Sequence, residues 1–231
     1  MIGATVATLA GAAAVAEGDR ALRVIQTVPV RAPESVATLD YPWGQVAFII
    51  NVDATGRLVD YLVERSTAPG FTAAAEKALR EWRFAPAWRE GQAVGTRELL
   101  VIDFEPRGIV VNLRRDAFAT RLFDRVARPR PEAQVSGPAE LDAPLHVIAS
   151  KSPQPIAPQP TRPSSGRVVL DFLVDPAGRP RMPVVLASPS DAHAASAVDA
   201  LSQWRFSPPT RKGEPVAVRV RQEFVFPAEA S

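Results

Sequence analysis

One stretch of this chain occurs twice. Shifted by 122 residues, positions 44–104 align with 166–226 without a gap, and 21 of the 61 pairs are identical; ordinary residue usage accounts for about five. A unit of that size recurring within 231 residues has to close its own core twice, so two small domains are expected in place of one large one. The identities concentrate at residues with strict geometric demands: Gly44/Gly166, Asp53/Asp175, Gly56/Gly178, Ser66/Ser188, Leu79/Leu201, Trp82/Trp204, Arg83/Arg205, Phe84/Phe206, Pro86/Pro208, Gly91/Gly213, Val94/Val216 and Phe104/Phe226.

Each copy reads as strand, turn, strand, helix, strand: an α+β domain with a small antiparallel β-β-α-β order. Val46, Phe48, Ile50 and Val52 alternate on one face of the first strand, matched by Val168, Leu170, Phe172 and Val174. Asp53-Ala54-Thr55-Gly56 and Asp175-Pro176-Ala177-Gly178 then reverse the chain, with Asp opening the turn and Gly supplying its positive φ. Val59, Tyr61 and Val63 form the second strand of the first copy; in the second copy Pro180 and Pro183 fall inside it, which predicts an edge strand or a broken one. Ala75, Ala78, Leu79 and Trp82, repeated as Ala197, Ala200, Leu201 and Trp204, carry helical spacing. Thr72 and Asp191 are the expected N-caps. Pro86 and Pro208 close the segment, with Trp82, Phe84, Trp204 and Phe206 plugging the cores and Arg83 turned to solvent. The third strand spans roughly 93–104 and 215–226.

Outside the copies, Ile2–Ala16 is uncharged and apolar, and Ala14-Val15-Ala16 matches a signal-peptide cleavage site, although no Lys or Arg precedes the run. At about 15 residues such a run is too short to span a bilayer; a start further upstream that added residues including Lys or Arg would turn it from a cleaved signal into an inner-membrane anchor. The domain boundaries expected are 1–16 for the signal peptide, 20–106 for copy one, 107–141 for a connecting strand, helix and Pro-rich turn, and 142–228 for copy two with its Pro-rich lead-in. Asp116–Ala127 has an amphipathic helix pattern through Phe118, Leu122 and Val126, and Ser152–Ser165 holds five prolines, the composition of an extended connector.

The ordered set, strand, D-x-x-G, strand, Ser, helix, W-R-F-x-P, Gly, strand, resembles the C-terminal domain of the TonB family of energy transducers. Copy one carries Asp53–Arg57, Ser66, Trp82–Pro86 and Gly91; copy two carries Asp175–Arg179, Ser188, Trp204–Pro208 and Gly213; Tyr41-Pro42 matches the family's lead-in. The resemblance implies a periplasmic domain that binds protein, docking an extended peptide of an outer-membrane transporter or other envelope protein by strand addition. Carried over, the docking residues are the third strands, near Val94, Leu100, Val101, Ile102 and Phe104 and near Val216, Val218, Val220 and Phe224. A typical transducer also has an anchoring helix and a long spacer; the short apolar N-terminus here implies an accessory binder. The rival expectation is a structural envelope protein whose two copies pack on each other and leave no strand free.

Other functions find little support. Zero cysteines remove thiolate chemistry and disulfides. The net charge of +2 is no footprint for nucleic acid. The two histidines, His146 and His193, stand in no metal-ligand spacing, and both are expected at the surface. No His accompanies Ser66, so no triad can be common to both copies; Ser66 and Ser188 are expected to bond the backbone at a strand end. Asp53 and Asp175 are explained as turn residues. No catalytic, cofactor or metal site is expected. Trp43 and Trp88 occur in copy one alone and flank its elements, which makes them candidates for a binding patch.

Overall fold

A computed structural model describes residues 19–30, 44–105, 108–115, 132–157 and 165–227. The signal-peptide, Trp43 and Asp116–Ala127 expectations lie outside those residues. The chain divides into two compact units, 1–134 and 135–231.

In the first unit the elements are β1 (Arg23–Gln26), β2 (Gly44–Val52), β3 (Leu58–Ser66), α1 (Pro69–Leu79), β4 (Arg83–Ala85), β5 (Ala87–Arg89), β6 (Gln92–Val94), β7 (Thr96–Glu105), β8 (Gly108–Arg115) and β9 (Glu132–Ala133). Five of them form a sheet in the order β8-β7-β2-β3-β9, antiparallel at each junction. Val46, Phe48, Ile50 and Val52 are fully buried in a core with Leu100, Ile102, Phe104, Leu79, Trp82 and Phe84, so the period-two reading of β2 holds. Each such large side chain contributes about 1.5–3 kcal/mol by leaving water. The expected face of β3 shifts by one residue at its start. Val52 pairs with Leu58, and Asn51 with Asp60, so Val59 bulges out and is exposed while Leu58 packs on the core.

The second unit holds β10 (Val135–Ser136), a 3-10 turn (Pro138–Glu140), β11 (Val147–Ala149), β12 (Gly166–Val174), β13 (Pro180–Ala187), α2 (Asp191–Ser202), β14 (Arg205–Phe206), β15 (Thr210–Arg211), β16 (Glu214–Pro215) and β17 (Ala217–Phe226). Its sheet runs β10-β17-β12-β13. β13 is the edge strand that its prolines predict. Met182 and Pro183 together face Phe172, between the pairs Leu173↔Arg181 and Asp171↔Val184, a bulge in which Met182 takes a φ of 50°.

The two turns explain why D-x-x-G and W-R-F-x-P recur together. Asp53 Oδ1 accepts from the Thr55 amide at 2.9 Å, the Thr55 hydroxyl at 2.6 Å and the Arg57 amide at 3.0 Å. Asp175 Oδ1 accepts from the Ala177 and Arg179 amides, both at 2.9 Å. The glycine that follows has φ of 83° at Gly56 and 75° at Gly178. A Cβ there would stand 2.1 Å from the carbonyl oxygen of Phe84 or Phe206. The turn is thus pressed onto the strand that carries the core phenylalanine, and in the second unit the Phe206 amide donates to the Gly178 carbonyl at 2.9 Å.

The helix starts differ from expectation. α1 is preceded by Ala68, which has no capping side chain, with Pro69 in its first turn, where the missing N–H costs nothing. Thr72 lies inside the helix and donates to Ser66 Oγ at 2.7 Å. In α2 the cap is Ser190, one residue before Asp191. The strand-end serines do bond the backbone, Ser66 Oγ to the Ala68 carbonyl at 3.1 Å and Ser188 Oγ to the Ser190 carbonyl at 2.7 Å.

Candidate strand-docking edge

The third-strand edge differs between the copies. In the first unit β7 is an interior strand. β2 pairs along one side of it from Thr96 to Phe104, and β8 pairs along the other from Glu98 to Glu105. Leu100, Ile102 and Phe104 are buried in the core, and Val101 is buried on the opposite face. None of these four offers a free backbone edge or an exposed side chain, which corrects the expectation that copy one presents its third strand. The reason is local. Gly108-Ile109-Val110-Val111 follows β7 after two residues and folds back on it as a hairpin.

In the second unit β17 pairs with β12 along its length, from Val218↔Val174 to Phe226↔Gly166. On its other side, among the described residues, only β10 meets it, in parallel, at Ala217 and Val218. From Arg219 to Phe226 the outer backbone groups have no described strand partner. Side chains on this stretch alternate. Phe224 and Phe226 are buried in the second core and Val220 is half-buried against it. Arg221 and Glu223 are exposed, and Val225 is 60% exposed. Arg219 Nε lies 3.1 Å from both carboxylate oxygens of Asp171, and Arg167 pairs with Glu223 at 3.2 Å. The latter, on an open surface, is worth under about 1 kcal/mol.

Val94 and Val216 do not lie on the long strands. Val94 ends the β5–β6 hairpin, and Val216 stands between β16 and β17 with its amide on the Pro209 carbonyl. These hairpins turn at Glu90-Gly91 and Lys212-Gly213, each pair with positive φ, the geometry that two-residue hairpins require. Trp88 sits on β5 with the Arg20 guanidinium 5.3 Å from its ring centroid, so it is half-covered by the chain's own lead-in.

Trp82 is buried as expected, but its indole N–H finds no partner among the described residues. Trp204 is only half-buried and donates to the Lys151 carbonyl at 2.9 Å. His193 is not at the surface: it is fully buried, 4.8 Å from the Phe226 ring and 2.8 Å from Ser190 Oγ through Nδ1. In the first unit Phe71 and Phe104 make the equivalent contact at 4.7 Å. His193 thus fills an aromatic core position.

Sequence reasoning also missed a strand at the start of each unit. Asp19-x-x-Leu22-x-Val24-Ile25 recurs as Asp142-x-x-Leu145-x-Val147-Ile148, at an offset of 123 that the gap-free comparison did not reach. β1 pairs with β4 and β11 with β14. Asp19 accepts from the Glu90 amide, and Asp142 from the Lys212 and Gly213 amides. The Gly213 and Lys212 amides hold the Asp142 carboxyl below the usual range. Asp53 is held low by the Thr55 hydroxyl and the Arg57 amide. Burial pushes Asp175 up, yet the Arg179 amide and guanidinium with the Ala177 amide leave it lowered. These are structural anions. No cluster of His, Asp and Glu among the described residues could hold a metal ion, and no described helix is long and apolar enough to cross a membrane.

Comparison with known proteins gives one family. The model of the Gram-negative bacterial TonB protein C-terminal family matches residues 43–106 and 161–227, together more than half of the chain. Among solved structures, the chain resembles the solution NMR structure of the Pseudomonas aeruginosa TonB C-terminal domain at 28% identity, over 39% of this chain and 92% of that one, with a TM-score of 0.31. No curated protein matches.

Proposed function

We propose that this chain, which belongs to the family of Gram-negative bacterial TonB protein C-terminal domains, is a periplasmic protein-binding module that captures an extended segment of an envelope protein on the outer edge of β17. The observation that carries the reading is the asymmetry of the copies. β8 fills the edge of β7, while from Arg219 onward the same edge of β17 has no described strand beside it. A strand edge left open is a template for another chain, and main-chain pairing there supplies affinity without demanding a particular sequence. The first copy then serves as a folded support, and the partner class is the N-terminal extension of an outer-membrane transporter. Binding, not catalysis, is the role assigned.

The test is a photo-crosslinking side chain placed at Val225 or, as control, at Val101, in the full chain expressed in a Gram-negative periplasm. The expected product joins Val225 to a transporter's N-terminal extension, with none from Val101. Products to other envelope proteins at Val225 would keep strand capture and remove the transporter. No product at Val225 would sink the reading.

A further inference from the structure

We propose that the outer face of α2 together with Trp204 is a binding site for a proline-rich peptide in the polyproline II conformation, occupied in this structure by the chain's own residues 151–157. This goes beyond the strand-capture reading and uses no strand edge. Residues 151–157 belong to no helix or strand. Two main-chain carbonyls among them are caught by side chains of the second unit. The Trp204 indole N–H donates to the Lys151 carbonyl at 2.9 Å, and the Ser196 hydroxyl donates to the Gln154 carbonyl, also at 2.9 Å. Lys151 Nζ adds a bond to Gln203 Oε1 at 3.1 Å.

The spacing identifies the conformation that the site reads. Lys151 and Gln154 are three residues apart. So are Pro153 and Ile156, which are half-buried while Ser152, Gln154, Pro155 and Ala157 are exposed. A polyproline II helix has three residues per turn and no internal hydrogen bonds, so every third carbonyl and every third side chain fall on one side and stay available to outside partners. Pro153 and Pro155 fix their own φ and hold Ser152 and Gln154 extended, which lowers the entropy lost on docking. Ile156, Val198 and Trp204 all pack against the second core. The Trp204 ring is set there by Phe224 and Phe206, with centroids 5.2 and 5.9 Å away, and its N–H is turned to the lead-in.

These donors are particular to the second copy. At the 122-residue offset Ser196 is Ala74 and Gln203 is Glu81, and Trp82 is fully buried with an indole N–H that meets no acceptor among the described residues. The partner class follows from what the site reads: two carbonyls one turn apart, and an apolar side chain three residues after a proline. A Pro-x-Pro-apolar segment of another protein offers the same groups as Pro153-Gln154-Pro155-Ile156. Residues 151–157 then act as a tethered competitor, at an effective concentration on the order of millimolar. A partner with a longer or better-fitting proline-rich stretch displaces them.

The experiment uses the isotope-labelled full chain, its Ile156→Ser and Pro153→Gly variants, which weaken the tethered segment, and two peptides, Ser-Lys-Ser-Pro-Gln-Pro-Ile-Ala and its form with Gly for both prolines. The Trp204 indole N–H resonance reads occupancy of the site. The proline peptide is expected to move it in all three chains and to bind the two variants about tenfold more tightly than the unsubstituted chain. The glycine peptide should bind about tenfold more weakly, and Ser196→Ala should weaken binding about fivefold. Equal binding of the two peptides, or unchanged affinity in Ser196→Ala, would overturn polyproline recognition. No movement of the resonance in any chain at about 10 mM peptide, above the effective concentration of the tethered segment, would overturn the site and leave residues 151–157 as a structural strap. A resonance that moves on raising the chain's own concentration without peptide would assign the site to a second copy and overturn the proposal as well.

Discussion

Substituting Gly178 by Ala should damage the second unit far more than the same substitution at Gly213, although both glycines have nearly the same backbone, φ of 75° and 79°. An alanine in the left-handed region costs about 1–2 kcal/mol. At Gly213 nothing lies within 4 Å of the new Cβ, so that is the whole effect. At Gly178 the Cβ would sit 2.1 Å from the Phe206 carbonyl oxygen, so the turn must retreat by at least about 1.3 Å to reach ordinary contact. That retreat breaks the hydrogen bond from the Phe206 amide to the Gly178 carbonyl, 2.9 Å long and worth about 1 kcal/mol. It also loosens Phe206 against Phe172, now 5.8 Å between centroids, a contact worth about 1 kcal/mol. The total for Gly178→Ala is about 3–4 kcal/mol. Native-state hydrogen exchange of the full chain, followed by mass spectrometry, reads each unit separately. Equal costs of about 1 kcal/mol at the two glycines would refute the coupling of turn to core strand; so would a large Gly178 effect spread evenly over both units.

Further outcomes follow from the same contacts. Trp82→Ala should cost the first unit about 3–5 kcal/mol by emptying a fully buried site, and Trp204→Ala should cost the second clearly less because that ring is half-buried; chemical denaturation read by exchange compares them. His193→Phe should stay within about 1.5 kcal/mol, since it restores the aromatic of the first copy, whereas His193→Ala should cost about 2–4 kcal/mol. Asp175 has a lowered pKa. Its stabilising effect is therefore present above the unfolded carboxyl value, near 4, and is lost as pH falls through the lower folded value. Asp175→Asn should destabilise the second unit by about 1–3 kcal/mol at pH 7, with the difference shrinking as pH falls through the lowered folded value in an acid titration monitored by circular dichroism.

The fold was legible where each residue's job is local. Alternation along β2 and β12, the D-x-x-G turns, the strand-end serines and the core Trp82, Phe84 and Phe206 need only their own segment to be recognised. The edge prolines of β13 announced its place as well. What remained hidden depended on pairing between distant segments. β8 is visible as Ile109-Val110-Val111, but only the ladder shows that it closes β7. Val59 was misplaced because a single-residue bulge changes which face follows. His193 was placed outside because residue type outweighed position, although its partner at the 122-residue offset is Phe71. The lead-in strands β1 and β11 were missed because one extra residue separates them from the gap-free repeat. The docking edge can be assigned to a strand from sequence, but the prolines Pro180 and Pro183 favour the first copy, whereas they lie on β13, away from β17, and β8 covers the first copy's edge.

Residue-resolved amide exchange of the partner-free full chain tests the central claim most directly. An open edge on β17 predicts alternation between Arg219 and Phe226, with slow amides where β12 accepts and fast ones between them, against slow exchange at successive positions along β7 from Glu98 to Phe104. Uniformly slow exchange from Arg219 to Phe226 would show that this edge is already covered within the protein, and the strand-capture account would give way to a structural one.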